Sequence, residues 1–282
     1  MRLFQQLPRQ LPLLISERGK MIIPRKSRIL EKIRAGKKAL SFKINLSCPR
    51  VAEIAAIAGF DGVWCCQEHV PSDHSTICQM IQAAKGYDCD TIVRVAKGCY
   101  SDYIRPLEAD AAGIMIPHLM SLDEAEKIVH TVRFHPIGLR PVDGGNADGM
   151  YCMLDFKEYI KFMNENRMVI VQIEDPEPLA DLDKICQLPG IDMIFFGPGD
   201  FSQAIGHPAE FDHPEITRVR KLIVDTAHKY GKFAGTVSGV ADLQKYYDMG
   251  YDYLNCGADV TAIAANCQAI INNSHTSSDK NE

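Results

Sequence analysis

The stretch FFGPGDFSQAIGHP, residues 195–208, places a single carboxylate directly after a turn of bare backbone. Two aromatics end a strand-like run, Gly197-Pro198-Gly199 force the turn, and Asp200 follows at once. A second acid, Glu174, closes the apolar run MVIVQI, and 200 − 174 = 26 residues separate the two. If the two runs are neighbouring strands, roughly 4.8 Å apart, the carboxylates converge on one cation. Two carboxylates with positions left for water and substrate suit Mg2+ or Mn2+, with Co2+ a further candidate. Each acid also has a plainer use. Glu174 precedes Asp175-Pro176-Glu177 and would be a favourable charge at a helix start, while Asp200 would cap the turn before Phe201-Ser202. Capping does not account for Gly197 and Gly199, whose missing side chains let a ligand approach and turn N–H groups toward an anion.

Elements that could hold these groups are written along the chain. Short runs, apolar on both faces, occur at LSFKI (40–44), GVWCC (62–66), TIVRV (91–95), GIMIP (113–117), MVIVQI (168–173), DMIFF (192–196), KFAGT (232–236) and YLNCG (253–257). Such runs predict buried parallel strands. Between them lie helical patterns such as RVAEIAAIAGF, LDEAEKIVHTVRF and PEITRVRKLIVDTAHKYGK. A longer insert, GLRPVDGGNADGMYCMLDF, follows the fourth strand and its helix. Eight strand–helix units predict a single-domain (β/α)8 TIM barrel. A Rossmann-like sheet is the alternative, but no G-x-G-x-x-G follows the first strand.

In such a barrel the chemistry sits at the strands' C-terminal ends. Five neighbouring strands deliver polar groups there: Gln67-Glu68-His69, Arg94, Pro117-His118, Gln172-Ile173-Glu174 and the Gly197–Asp200 turn. Strand-end lysines are not expected at this rim, which argues against a Schiff base. His118, His207, His213 and His228 read first as structural or solvated, and Trp64 as core. Tyr151 and Asp148, in the insert, are candidate contacts for a second reactant.

Composition narrows the class. The 282 residues are 46% hydrophobic with a formal net charge of -5, which offers no footprint for nucleic acid or an acidic membrane. The 10 cysteines form no C-x-x-C pair or zinc-finger spacing, and several lie in apolar runs, as expected of a reducing cytoplasm. No apolar run reaches the ~18 residues of a membrane span. Residues 1–24 read as an N-terminal extension, 25–272 as the barrel and 273–282 as a polar, frayed tail.

The run V-x-I-E (Val171 to Glu174), GPGDFS (Gly197 to Ser202) and HPEI (His213 to Ile216) resembles the HpcH/HpaI aldolase family of class II, metal-dependent pyruvate aldolases. The likeness extends from about Arg28 to Ala269 and includes GFDGVW…EHVPSD, the IVR strand and IPHLMSLDEAEKIVHTVRFHPIGLR. It implies Glu174 and Asp200 as metal ligands, Gln172 near the substrate, His69 as acid/base and Arg94 on the pyruvate enolate. Backbone N–H groups around Gly199 and Asp200 would hold the pyruvate carboxylate. Enolisation needs a Lewis acid, a cation beside the developing charge and a proton shuttle, which these residues supply. The expected reaction is cleavage or formation of a 4-hydroxy-2-oxo acid from pyruvate and an aldehyde, by a homo-oligomer, a hexamer by resemblance. A CoA-ester lyase of the citrate-lyase type and an inactive barrel that binds a 2-oxo acid are the alternatives.

The chain departs from the family at Cys66, where an Asp is usual, and at Glu108, where an Asp pairs with the histidine. Here a Glu108–His69 dyad is expected, and the insert is expected to close over the acceptor aldehyde.

Overall fold

The computed structural model describes residues 24–274, so nearly all of the N-terminal extension and most of the tail lie outside the described residues. Asn273 and Ser274, assigned above to the tail, instead finish the last helix. The strands are β1 (Ala39–Ile44), β2 (Gly62–Cys66), β3 (Asp90–Arg94), β4 (Gly113–Ile116), β5 (Met168–Ile173), β6 (Met193–Phe196), β7 (Phe233–Ser238) and β8 (Tyr253–Ala258). All pair in parallel and in chain order, and β8 returns to β1 to close the barrel.

Successive residues of a strand face opposite sides, so each strand feeds two cores. Residues such as Val63, Val93, Ile114, Val171 and Ile194 face the surrounding helices. Ala39, Trp64, Ile92, Met115, Ile170, Phe195 and Tyr253 fill the interior. Helix α1 (Arg28–Arg34) stoppers the lower end, where the strands begin, with Ile29, Leu30 and Ile33. Its N-cap Ser27 donates to the buried Asp90 at 2.6 Å, and the Ile29 N–H donates to the same carboxylate at 2.9 Å. Burial of such charge is tolerable because every oxygen is met.

The helices between and after the strands are α2 (Pro49–Ile57), α3 (His74–Lys85), α4 (Tyr100–Glu108), α5 (Leu122–Val132), α6 (Phe156–Asn166), α7 (Leu182–Gln187), α8 (Pro198–Ala204), α9 (Pro214–Lys229), α10 (Leu243–Met249) and α11 (Asp259–Ser274), and helices such as α3, α4 and α5 lead from the upper mouth back to the lower face. The last helix is unlike the rest. Beyond Asp259 every residue of α11 is exposed, including Ile263, Ile270 and Ile271. Ile54 and Ile57 of α2 are exposed too, at 65% and 61%.

The insert between α5 and α6 does not behave as expected. Asp148 is fully buried; Arg140 Nη2 and the Tyr159 hydroxyl each donate to it at 2.8 Å. Its N–H donates to the Glu108 carbonyl at 3.2 Å, at the lower end of α4. Ala147, Asp148 and Met150 line a small cavity with Arg25, Lys85 and Asp110, all at the lower face. The insert is thus pinned beside the barrel's foot rather than over its own mouth. Asp148 is a structural anchor, and Tyr151 lies exposed on that pinned loop.

Candidate active site

The upper mouth gathers the ionisable groups. Inward-facing Arg94 ends β3, is 4% exposed, and pairs with Glu68, whose carboxylate oxygen lies 2.9 Å from its Nε. Its Nε and Nη2 also lie 3.4 and 3.2 Å from the Cys66 sulfur, and its Nη1 lies 3.9 Å from Glu174. Cys66 therefore stands beside the guanidinium at the position where the family pattern has an Asp. The Trp64 ring lies 4.9 Å below the guanidinium carbon, so this core aromatic also forms the floor of the site.

Glu174, just past β5, is 2% exposed. It accepts from Gln172 Nε2 at 2.8 Å and from the His118 N–H at 3.1 Å. Burial pushes its carboxyl up to about 7, against the pull of the His118 N–H and of Arg94. Near neutral pH, then, a cation would bind there by displacing a proton. Gly197 explains its own identity: a Cβ there would lie 2.5 Å from Glu174 Oε1 and Cγ. At Gly199 a Cβ would meet nothing, so its bareness serves the space in front of the turn. The N–H groups of Gly199 and Asp200 belong to the first turn of α8 and have no partner within the helix.

His118 was read as structural, yet it joins Glu174 and Asp200 in a cluster whose ligand atoms lie within 4.8 Å of one another. A left-handed backbone (φ 47°) turns its ring inward. Its Nδ1 lies 2.8 Å from Asp175, and its Nε2 lies 3.6 Å from Glu68 and 3.7 Å from Glu174. Burial lowers the imidazole's pKa, but Asp175 and Glu174 outweigh it and raise the net value. With Nδ1 held by Asp175, Nε2 is the nitrogen free to face the site. Two carboxylates and an imidazole form a donor set suited to a divalent cation such as Mg2+ or Mn2+. The Gln172 Oε1, buried and without a hydrogen-bond partner among the described residues, is a further oxygen at the same place.

Two expectations fail here. His69 sits at the rim, its side chain 56% exposed, and its nearest carboxylate is Glu68 at 3.6 Å. Glu108 closes α4 at the opposite face, where burial raises its pKa and Arg140 opposes that rise. The nine-residue helix, about 13 Å long, separates the two levels, so no Glu108–His69 pair forms within one chain. The expected absence of a rim lysine is also wrong. Lys43 lies on β1 in register with Trp64, its ammonium 4.9 Å from that ring. It is half-buried, and burial followed by the nearby Arg94 lowers its pKa.

A family model described as HpcH/HpaI aldolase/citrate lyase matches residues 41–265. The chain belongs to that family. The hydroxypyruvate/pyruvate aldolase of Pseudomonas aeruginosa is 31% identical over 238 residues, covering 84% of this chain and 88% of that protein. The 5-keto-4-deoxy-D-glucarate aldolase of Shigella boydii is 31% identical over 216 residues, covering 76% and 83%. Among solved structures, an HpcH/HpaI aldolase from Desulfitobacterium hafniense superposes with a TM-score of 0.82 at 24% identity, over 86% of this chain and 95% of that one. The last likeness supports the fold alone. The barrel and family expected from the sequence are thereby borne out. Among the described residues no helix is long and apolar enough to cross a membrane.

Proposed function

We propose that this chain is a carbon–carbon lyase that cleaves a 4-hydroxy-2-oxo acid to pyruvate and an aldehyde, or joins them, through the pyruvate enolate. The observation that carries this reading is the meeting of Arg94 with the His118–Glu174–Asp200 cluster in one mouth. Glu174 and Asp200 would hold a divalent cation, which would supply Lewis acidity to a bound 2-oxo acid. The chain's own residues do the rest. N–H groups of Gly199 and Asp200 hold the carboxylate, and Gln172 orders the oxygen side of the substrate. Arg94, fixed by Glu68, presents a guanidinium to charge that develops on enolisation, without reorganising. His69, at the rim, gives and takes the proton on the aldehyde side. The named relatives, an aldolase of hydroxypyruvate and pyruvate and one of 5-keto-4-deoxy-D-glucarate, support the same reaction class.

The test is entry of solvent deuterium into the pyruvate methyl group. Exchange is expected with Mn2+ or Mg2+, with loss in chelator and in Asp200→Ala, which should stay folded. Full exchange in chelator, or a borohydride-trapped pyruvate adduct, would sink the class II reading.

The working form is a homo-oligomer, with six copies the expected number. Its support is the apolar surface that a single chain leaves open, Ile263, Ile270 and Ile271 on α11 together with Ile54 and Ile57 on α2. Any Glu108–His69 pairing would then be between copies. Sedimentation of the purified chain checks this; a monomer at micromolar concentration would refute it.

A further inference from the structure

A second cavity, of about 490 Å3, opens where α8, α9 and α10 meet the end of β7. Gly199, Phe211, Ser238 and Tyr246 wall it, and Arg220 lines it from α9. Arg94, His118, Glu174 and Asp200 do not border it, so this is not the reaction site.

Arg220 is only 4% exposed, which is unusual for a cation on a helix. Its guanidinium carbon lies 4.5 Å from the centre of the Tyr246 ring and 5.3 Å from that of Phe196. These rings steady the plane and leave its edge to find partners. Nη1 donates to Thr236 Oγ1 at 3.3 Å, and the Thr236 hydroxyl passes its own proton to the Phe196 carbonyl at 2.9 Å. The other polar neighbour is the Tyr251 phenol, whose pKa burial raises while the guanidinium opposes the rise. Both partners are neutral, and they leave N–H groups of the fork unfilled. No carboxylate lies within 4 Å of Arg220 among the described residues. A cation drawn out of water in this way calls for a charged partner.

The other charges on the cavity narrow what that partner is. Lys245 Nζ lies 3.9 Å from Asp212, whose side chain is fully exposed, so these two answer each other at the rim. Asp242 also lines the cavity, is half-buried, and has neither ion pair nor side-chain hydrogen bond among the described residues. One buried cation and one half-buried anion thus remain. A simple anion would satisfy Arg220 and be repelled by Asp242, and a simple cation would meet the reverse. A molecule carrying both charges satisfies both. The rest of the wall is apolar, with Val237, Tyr246 and Phe211, the last 48% exposed.

We propose that this cavity binds a free α-amino acid with an apolar side chain. Its carboxylate takes the open edge of Arg220, its ammonium takes Asp242, and its side chain lies against Phe211 and Tyr246. An arginine fork suits a carboxylate because two parallel N–H groups match the two oxygens. A few convergent polar groups in an apolar wall is the usual make-up of a small-molecule site. Nothing in this assignment depends on the aldolase reading.

The test is calorimetric titration of the whole chain with L-leucine and with L-phenylalanine. Saturable binding of one molecule per chain is expected. 4-Methylpentanoate, which is leucine without its ammonium, and L-leucinamide, which lacks the carboxylate, should both bind more weakly. Arg220→Met should raise the Kd for leucine by on the order of 10²-fold, with Arg220→Lys between. Asp242→Asn should raise it roughly fivefold and leave 4-methylpentanoate unaffected, a selectivity that a merely structural role would not give. Asp242 sits at the rim, so this variant and the two analogues decide the matter even if Arg220→Met fails to fold. No saturable binding of either amino acid, 4-methylpentanoate binding as tightly as leucine, or unchanged leucine affinity in Asp242→Asn would overturn the assignment. Failure of the aldolase reading shows separately, as absence of metal-dependent exchange in the wild type.

Discussion

Arg94→Ala is expected to slow deuterium exchange into pyruvate by on the order of 10²-fold or more, and aldol cleavage by at least as much. The guanidinium is 4% exposed and stands between Glu68 and Glu174, so its removal does two things. It takes the cation from the developing enolate charge, and it leaves two carboxylates without their shared partner. Arg94 is among the groups that hold the Glu174 pKa down, to about 7, against burial. Without it that pKa climbs further, more of Glu174 is protonated at a given pH, and the pH for half-maximal metal binding moves up. The sign for folding follows the same logic. A carboxyl raised from 4.5 to about 7 makes the metal-free fold progressively less stable across that interval as pH rises, and the variant extends the interval upward. Arg94→Lys restores little, because an ammonium cannot span Glu68 and the Cys66 sulfur as the planar fork does. Equal exchange rates in wild type and Arg94→Ala, with the same pH dependence of metal binding, would remove Arg94 from the site.

Gly197→Ala and Gly199→Ala should part company sharply. The first sets a methyl group 2.5 Å from Glu174 Oε1 and Cγ, an approach no real Cβ makes. Either the carboxylate or the turn has to shift by about an ångström, and a displacement of that size in a reacting centre costs on the order of 10²-fold in rate. Metal affinity should fall with it. The second places its methyl in open space, so folding and metal binding should match the wild type. What Gly199→Ala loses is the close approach of an anion to the turn, seen as a raised KM for pyruvate. If Gly197→Ala binds Mn2+ like the wild type, the Glu174 carboxylate is not a ligand.

Much of this was legible in the sequence because the barrel writes its strands as isolated apolar runs. GVWCC and MVIVQI match β2 and β5 residue for residue, and the other strands agree to within two residues at either end. Glu174, Asp200 and Arg94 could be found because each directly ends a strand or follows one. His118 could not, since a single left-handed residue decides where its ring goes and nothing in PHLM announces it. Lys43 stands inside LSFKI rather than after it, and two-residue alternation from Ala39 turns it inward. The Glu108 expectation failed for want of helix direction. A helix leaving the mouth ends a full length below it, so its last residue cannot reach a histidine at the rim.

The stopper formed by α1 has a consequence for the reaction itself. With Ile29, Leu30 and Ile33 sealing the bottom and Trp64, Phe195 and Tyr253 filling the middle, the site is a blind shaft with one opening. Aldehyde, water and exchangeable protons all come down from the same side. An enolate held at the bottom of that shaft would be approached from the opening alone, with Arg94 and the His118–Glu174–Asp200 cluster fixing its other sides. The packing that keeps the barrel folded thereby gives an achiral intermediate a handed environment.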